Sequence, residues 1–268
     1  MVDNFKFKET YGIDDLIELI RILREPGGCP WDREQTHKSI RKDFIEETYE
    51  VIEAINKEDR ELLKEELGDV LMQVVFHTRI ETEEGGFDFN DVCDGICKKL
   101  IVRHPHVFAS DKAETCADVL LKWDDIKKKT KNQKTQTSVM ESIPRELPAL
   151  MRAQKVQKKA ADVGFDWNDI SGAFDKIKEE TQEVKDAIES GDGDAVLDET
   201  GDLIFSCVNV ARFAGVNSEE ALTHTTDKFI KRFKIVESLA SEQGIKMENA
   251  SLEVLDGLWD EAKNKGNQ

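Results

Sequence analysis

Two acidic motifs recur in this chain with the spacing of side chains that bind a metal ion from a helix. The first, E-E-x-x-E, occupies residues 46–50 and 179–183, and the second, E-x-G-D, occupies residues 66–69 and 199–202. Residues three or four apart are neighbours on one helix face, so each motif groups its carboxylates. Carboxylate oxygens suit Mg²⁺ or Mn²⁺, and Mg²⁺ typically fills its remaining positions with water and substrate phosphate oxygens. The predicted metal ligands are Glu47, Glu50, Glu66 and Asp69 in the first half and Glu180, Glu183, Glu199 and Asp202 in the second.

A solvated acidic face is the alternative for either motif alone, because the chain carries 56 Asp and Glu against 38 Lys and Arg. The second motif favours a metal site, since it runs on into VLMQVVF in one half and LIFSCVNV in the other. These stretches are apolar nearly all round and predict a buried helix, in which carboxylates are costly unless they are paired or metal-bound. Gly68 and Gly201, which stand between the acids, predict that another helix packs closely there.

The chain contains an internal duplication. Each predicted metal ligand of the first half has a counterpart 133 residues later. The four Trp pair at a displacement of 136, as Trp31 with Trp167 and Trp123 with Trp259. Apolar residues recur with helical spacing around the motifs, and no alternating strand pattern is convincing. We therefore predict an all-α protein with two related helical-bundle domains, residues 1–126 and 147–268, joined by a polar linker over residues 127–146.

Composition excludes several classes of function. The net charge of −18 would repel a phosphate backbone, so we expect no nucleic-acid partner. No apolar run reaches the roughly 18 residues of a membrane span, and the N-terminus has no apolar signal core, so we expect a cytoplasmic protein. The five Cys have no framework spacing, which is typical of reduced thiols.

Two rival metal sites are less favoured by the sequence. Cys93 and Cys97 lie one helical turn apart, with His104 and His106 nearby, as in a zinc site, although Cys is often simply a small buried residue. A di-iron centre needs a Glu-x-x-His from each of two helices. Only residues 34–37 fit that pattern, and their counterparts 136 positions later are Ile and Ala.

A basic pair recurs late in each half, with its two members one helical turn apart. Such residues either balance the many acids or contact the phosphates of a ligand. A Trp near the end of each half either stacks on a base or packs in the core. The residues concerned are Lys99, Arg103 and Trp123 in the first half and Lys228, Arg232 and Trp259 in the second.

At this level of detail the chain resembles the MazG family. The resemblance covers nearly the whole chain and rests on GGCPWDREQTH (27–37), EETYEVIEAI (46–55), EELGDVLMQVVFH (65–77), KLIVRHPHVF (99–108), LPALMRAQKVQKKAADVGFDW (147–167) and KFIKRF (228–233). Members of this family are nucleoside triphosphate pyrophosphohydrolases with tandem all-α domains. The motif pair marks the wider all-α pyrophosphatase superfamily.

The resemblance implies cleavage of a nucleoside triphosphate to a monophosphate and pyrophosphate with Mg²⁺, for which Mn²⁺ can substitute. It implies a homodimer, loose base preference and a role in clearing unwanted nucleotides. It ranks the C-terminal domain first for activity, with the basic pair and Trp of each half at the substrate. Thr226 stands where relatives often have Asn, which changes the hydrogen-bonding groups available to a base or sugar.

Metal-assisted hydrolysis is the mechanism that these residues suggest. The candidate catalytic residues are Glu179, Glu180 and Glu183, and Glu179 is the candidate proton acceptor because it lies one turn from Glu183. The alternative from another class of function is a regulatory module that senses nucleotides or binds a partner without turnover, since a sensor can retain a complete set of acidic ligands.

Overall fold

The structure is a computed structural model that describes residues 5–109, Thr115 and residues 135–265. The described residues form helices and contain no strand, which confirms the all-α prediction. None of the helices found among them is long and apolar enough to cross a membrane.

The chain divides into two compact units, Met1–Lys127 and Lys128–Gln268. The expected linker over residues 127–146 contains a short helix, Gln136–Glu141, which begins after the N-cap Thr135 and buries Val139. This helix belongs to the second unit, while the domain limits 1–126 and 147–268 stay sequence predictions.

In the first unit α4 packs against α1 and α3, and its buried side chains form the core with those of α1. Ile20, Val75, Phe76 and Ile80 are among the buried core residues. Arg24 connects α1 to α4 through a 2.8 Å ion pair with Glu83. The described helices of this unit are α1 (Ile13–Arg24), α2 (Pro30–Glu34), α3 (Arg41–Asn56), α4 (Arg60–Glu83), α5 (Phe89–Arg103) and α6 (Pro105–Phe108).

A three-residue turn joins α3 to α4. Glu58 adopts a φ of +55° in this turn, and the Asp59 carboxylate accepts hydrogen bonds from the backbone N–H groups of Glu61 and Leu62, both at 3.1 Å. This N-cap satisfies donors that the first turn of α4 would otherwise leave free. Because so short a connection makes α3 and α4 antiparallel neighbours, the first acidic motif faces the second.

The second unit repeats this hairpin with α9 and α10. Gly191 has a φ of +74°, which favours glycine, and the Asp192 carboxylate caps α10. A separate buried cluster joins α11 to α12. The described helices of this unit are α7 (Gln136–Glu141), α8 (Ala149–Ala161), α9 (Ile170–Ser190), α10 (Gly193–Phe213), α11 (Ser218–Glu242) and α12 (Leu252–Lys265), with a 3₁₀ turn over Met247–Asn249.

Two expectations about α4 and α10, the helices that carry the second motif, are wrong. These helices are not buried on all sides: Leu67 on α4 is 51% exposed and Leu197 on α10 is 72% exposed. A Cβ placed on Gly68 or Gly201 would meet nothing within 4 Å, so no other helix of the described residues packs closely at these glycines. The helical bundle covers one face of each helix, and an apolar face remains exposed.

Candidate metal centre

The first acidic cluster brings together side chains from α3 and α4. Glu47, Glu66 and Asp69 each offer a carboxylate oxygen, and the three oxygens lie within 4.8 Å of one another. Glu50, one turn after Glu47, is their neighbour, since it raises the pKa of both Glu47 and Glu66. The structure therefore brings the four predicted ligands of the first half together.

The carboxylates of this cluster are partly withdrawn from water and repel one another. Burial is the main cause that raises the pKa of Glu47, and the charges of Asp69, Glu50 and Glu66 raise it further. Burial and then Glu50 raise the pKa of Glu66. A divalent cation among these oxygens would reverse that effect, because it favours the ionised form of every carboxylate that binds it.

The second acidic cluster repeats the arrangement on α9 and α10. Oxygens of Glu180, Glu199 and Asp202 lie within 4.8 Å of one another. The pKa of Glu183 is raised, first by its hydrogen bond with Glu180, then by burial and the charges of Glu180 and Glu199. All four predicted ligands of the second half are therefore neighbours as well.

Glu180 provides the test of whether a cation fits the second cluster. This side chain is only 2% exposed, and its Oε2 atom is buried without a hydrogen-bond partner among the residues that the structure describes. A buried carboxylate oxygen without a partner is costly. When ionised, the neighbouring oxygens are also acceptors and cannot donate a hydrogen bond to it. A cation bound among them would interact favourably with all of these oxygens. An all-oxygen set suits Mg²⁺ or Mn²⁺.

Comparison with known proteins identifies the family. Residues 35–108 and 172–237 each match the family model described as the MazG nucleotide pyrophosphohydrolase domain, and each match contains one acidic cluster. The chain belongs to the MazG family. The two matches confirm the duplication and the resemblance seen in the motifs.

Curated MazG relatives resemble the chain over nearly its whole length. A protein of Escherichia coli K12 named nucleoside triphosphate pyrophosphohydrolase is 47% identical over 94% of this chain and 97% of its own length. A Thermotoga maritima protein named nucleoside triphosphate pyrophosphohydrolase/pyrophosphatase MazG is 44% identical over 93% and 95% of the two chains. An uncharacterised Bacillus subtilis protein, YabN, is 49% identical over 91% of this chain and half of its own.

The rival metal sites do not form in the described part of this MazG chain, where only the two acidic clusters group three or more candidate ligands. Cys93 and Cys97 are free thiols. His37, from the di-iron pattern, instead lies 2.7 Å from His77, Nδ1 to Nδ1, and 3.0 Å from a Glu81 carboxylate oxygen.

Lys176 is a residue of the second site that sequence reasoning missed. Its ammonium lies 2.5 Å from Glu180 and 2.9 Å from Glu179, and these two carboxylates raise its pKa. The spacing of four residues between Lys176 and Glu180 could have indicated the pair. Glu179, the candidate proton acceptor, lies at the rim: its side chain is 58% exposed, and it is not among the three clustered ligands of this half.

The basic pairs lie on α5 and α11. None of the four residues forms an ion pair with any residue that the structure describes, although Lys and Arg elsewhere pair frequently with Asp and Glu. The alternative in which these basic residues pair directly with acids is therefore not observed. The residues are Lys99, Arg103, Lys228 and Arg232.

Trp259 packs against the core cluster of α11 and α12, and its ring centroid is 4.9 Å from that of Phe229. Phe229 is adjacent in sequence to Lys228, so the Trp259 ring buttresses the segment of α11 that carries the basic pair. The sequence left open whether Trp259 stacks on a base or packs in the core, and the structure shows it packed against the core. Trp123, its counterpart, lies outside the described residues.

Proposed function

We propose that this protein hydrolyses nucleoside triphosphates to nucleoside monophosphates and pyrophosphate, with a divalent cation held by Glu180, Glu183, Glu199 and Asp202. Mg²⁺ is the proposed cofactor, and Mn²⁺ can replace it. The proposal is carried by the buried Oε2 of Glu180, which lies within a set of four carboxylates and has no hydrogen-bond partner among the described residues. Membership of the MazG family and the printed names of the long relatives support the reaction class.

Different residues of the second unit bind the cation, bind the phosphates and accept the proton. The four carboxylates hold and orient the cation, which when bound supplies Lewis-acid activation of the phosphates and of the attacking water. Lys228 and Arg232 bind the outer phosphates, and Trp259 positions their helix through Phe229. The catalytic carboxylates are those of residues 179, 180 and 183, and Glu179 at the rim accepts the proton of water. Lys176 holds Glu179 beside Glu180.

We assign the first cluster to a second cation site, with Lys99, Arg103 and Trp123 as the corresponding substrate residues. Glu47 is half-buried where its counterpart Glu180 is buried, and no described Lys or Arg pairs with the first cluster as Lys176 pairs with Glu180. We therefore expect the main activity in the second unit and loose discrimination among bases, which suits an enzyme that clears unwanted nucleotides. The cytoplasm, where nucleoside triphosphates are abundant, is the proposed location.

A homodimer is the proposed assembly, because the α9–α10 hairpin exposes a set of large apolar side chains that a monomer would leave in water. The exposed residues are Ile188, Leu197, Ile204 and Phe205, between 41% and 72% exposed. A second copy of the chain can cover this face. Sedimentation equilibrium would show a dimer, and a monomer at micromolar concentration would contradict this part of the proposal.

Pyrophosphate release from a mixture of nucleoside triphosphates and Mg²⁺ tests the function. Asp202→Asn removes a ligand charge and should slow release by at least about 100-fold, since cation stabilisation of the transition state is worth several kcal/mol. Asp198→Asn on the same helix is the matched control, because Asp198 is exposed and outside the cluster.

The wild-type rate in Asp202→Asn would contradict the assignment of the site. Tight nucleotide binding by the wild type without any product would favour the sensor instead.

A further inference from the structure

The second unit contains a cavity of about 560 Å³ that the carboxylate site does not include. It lies between α8, the loop before α9 and the C-terminal half of α10, and its volume is within the range of roughly 300–1,000 Å³ that is usual for small-molecule pockets. Aromatic residues supply much of the wall, and four polar residues also line it. The aromatic residues are Phe165, Trp167 and Phe205, and the polar ones are Gln157, Asp166, Asn209 and Arg212.

Gln157 presents an unused hydrogen-bond acceptor in this wall. The side chain is 5% exposed, its Nε2 donates to the Phe205 carbonyl at 2.7 Å, and its Oε1 is buried without a partner in the described part of the chain. Buried amide oxygens are rarely left unpaired, because the lost hydrogen bond costs free energy. A ligand with a hydrogen-bond donor would satisfy this oxygen.

Asn209 presents the complementary donor. Its Oδ1 accepts a 2.7 Å hydrogen bond from Nε of Arg212, and Arg212 is itself held by two hydrogen bonds to Asp166 at 2.9 and 2.6 Å. These bonds fix the orientation of the amide and leave its NH₂ group as a donor. The cavity therefore offers one fixed acceptor and one fixed donor between aromatic walls.

We infer that this cavity receives the base of the nucleotide whose phosphates lie at the second acidic cluster, an inference that rests on the proposed function. Asn209 and Asp202 lie seven residues apart on α10, which places them on one helix face about 10 Å apart along the axis. That separation leaves room for the sugar and the first phosphate. Aromatic side chains stack on base faces, and Asn and Gln amides bind base edges.

The pattern of polar groups defines the class of ligand. Each of the common bases carries a hydrogen-bond donor next to an acceptor on its Watson–Crick edge, so each can satisfy Gln157 Oε1 and the Asn209 amide together. The cavity is selective for a planar ring with such an edge and discriminates weakly among bases.

The first unit lacks this arrangement at the corresponding position. A displacement of 133 residues relates Asn209 to Phe76. Phe76 is 6% exposed in the core beside Val75 and Ile80, with the Arg24 guanidinium 5.1 Å from its ring centroid. A core aromatic thus fills the place where the second unit has an amide that lines a cavity.

Binding of nucleosides in the presence of EDTA, followed by ligand-observed NMR, tests the inference without metal or turnover, because a nucleoside carries no phosphate for the carboxylates to repel. Asn209→Phe copies the first unit and should weaken binding at least tenfold for every base. Gln157→Leu has nearly the same volume and should weaken it as well, and it replaces Asn209→Phe if that variant fails to fold by circular dichroism. Gln182→Leu, exposed on α9, is the matched control and should bind like the wild type.

Unchanged affinity in folded Asn209→Phe or Gln157→Leu would overturn the inference, as would wild-type protein that binds no nucleoside. The binding measurement needs no hydrolysis, so the two proposals can fail separately. If only the proposed hydrolysis is wrong, the wild type binds normally but releases no pyrophosphate.

Discussion

The two halves carry the same acids at the same spacing but surround them differently. In the second half Glu180 is 2% exposed and contacts Lys176. In the first half Glu47 is half-buried, and Asp43 stands 133 residues before Lys176. The two halves therefore share their carboxylates but differ in the side chains that surround them.

The largest expected difference between the halves is catalytic. Glu183→Gln should slow pyrophosphate release by at least about 100-fold, because a charge that holds the cation is lost. The matched variant Glu50→Gln changes the first cluster in the same way and should leave the rate close to that of the wild type. Steady-state rates with Mg²⁺ measure both. Equal losses in the two variants would remove the functional distinction between the halves.

A second difference concerns stability. Arg24 has a 5% exposed side chain that binds Glu83 and the backbone carbonyls of Asp32 and Gln35. Arg24→Met should lower the free energy of unfolding of the first unit by about 3 kcal/mol, because two backbone carbonyls lose a charged donor and the Glu83 carboxylate keeps only Arg79. Hydrogen exchange of α1 and α4 peptides measures this loss separately from the second unit.

Arg21→Met is the control for that loss. Arg21 pairs with Glu18 at the surface, and such pairs contribute about 0–1 kcal/mol. If the two variants destabilise the unit equally, the ion pair of Arg24 has no special role in joining α1 to α4.

The smallest expected difference depends on pH. Burial and the neighbouring His37 lower the pKa of His77, whose ring also meets Phe44, while Glu81 faces His37. As the pH falls through about 6.5, His77 therefore binds a proton in the unfolded chain but stays neutral in the folded unit. The first unit loses stability below that pH until the lowered folded pKa is reached.

Hydrogen exchange of α4 peptides between pH 5 and 7.5 measures this loss, after correction for intrinsic rates. His77→Gln should reduce it, and the α10 peptides of the second unit, where Val210 is the counterpart of His77, lack this contribution. An undiminished loss in His77→Gln would assign the effect to other groups.

Sequence periodicity predicted the helices and the meeting of the acidic motifs, since both depend on local spacing and short turns. It did not predict that Leu197 is exposed, because apolar periodicity does not reveal which surface covers a residue. Lys176 was missed although it stands four residues before Glu180, because the same spacing between Lys and Glu recurs at several exposed pairs of this highly charged chain. Gln157 and Asn209 look like ordinary polar residues until packing places them on one cavity.

Mn²⁺ binding, followed by electron paramagnetic resonance of the free ion, tests the central claim most directly. Glu180→Gln and Glu179→Gln alter adjacent residues in the same way, but only Glu180 belongs to the cluster of three. We predict that Glu180→Gln loses a Mn²⁺ site that the wild type has and that Glu179→Gln retains it. Equal Mn²⁺ binding by the wild type and Glu180→Gln would contradict the account.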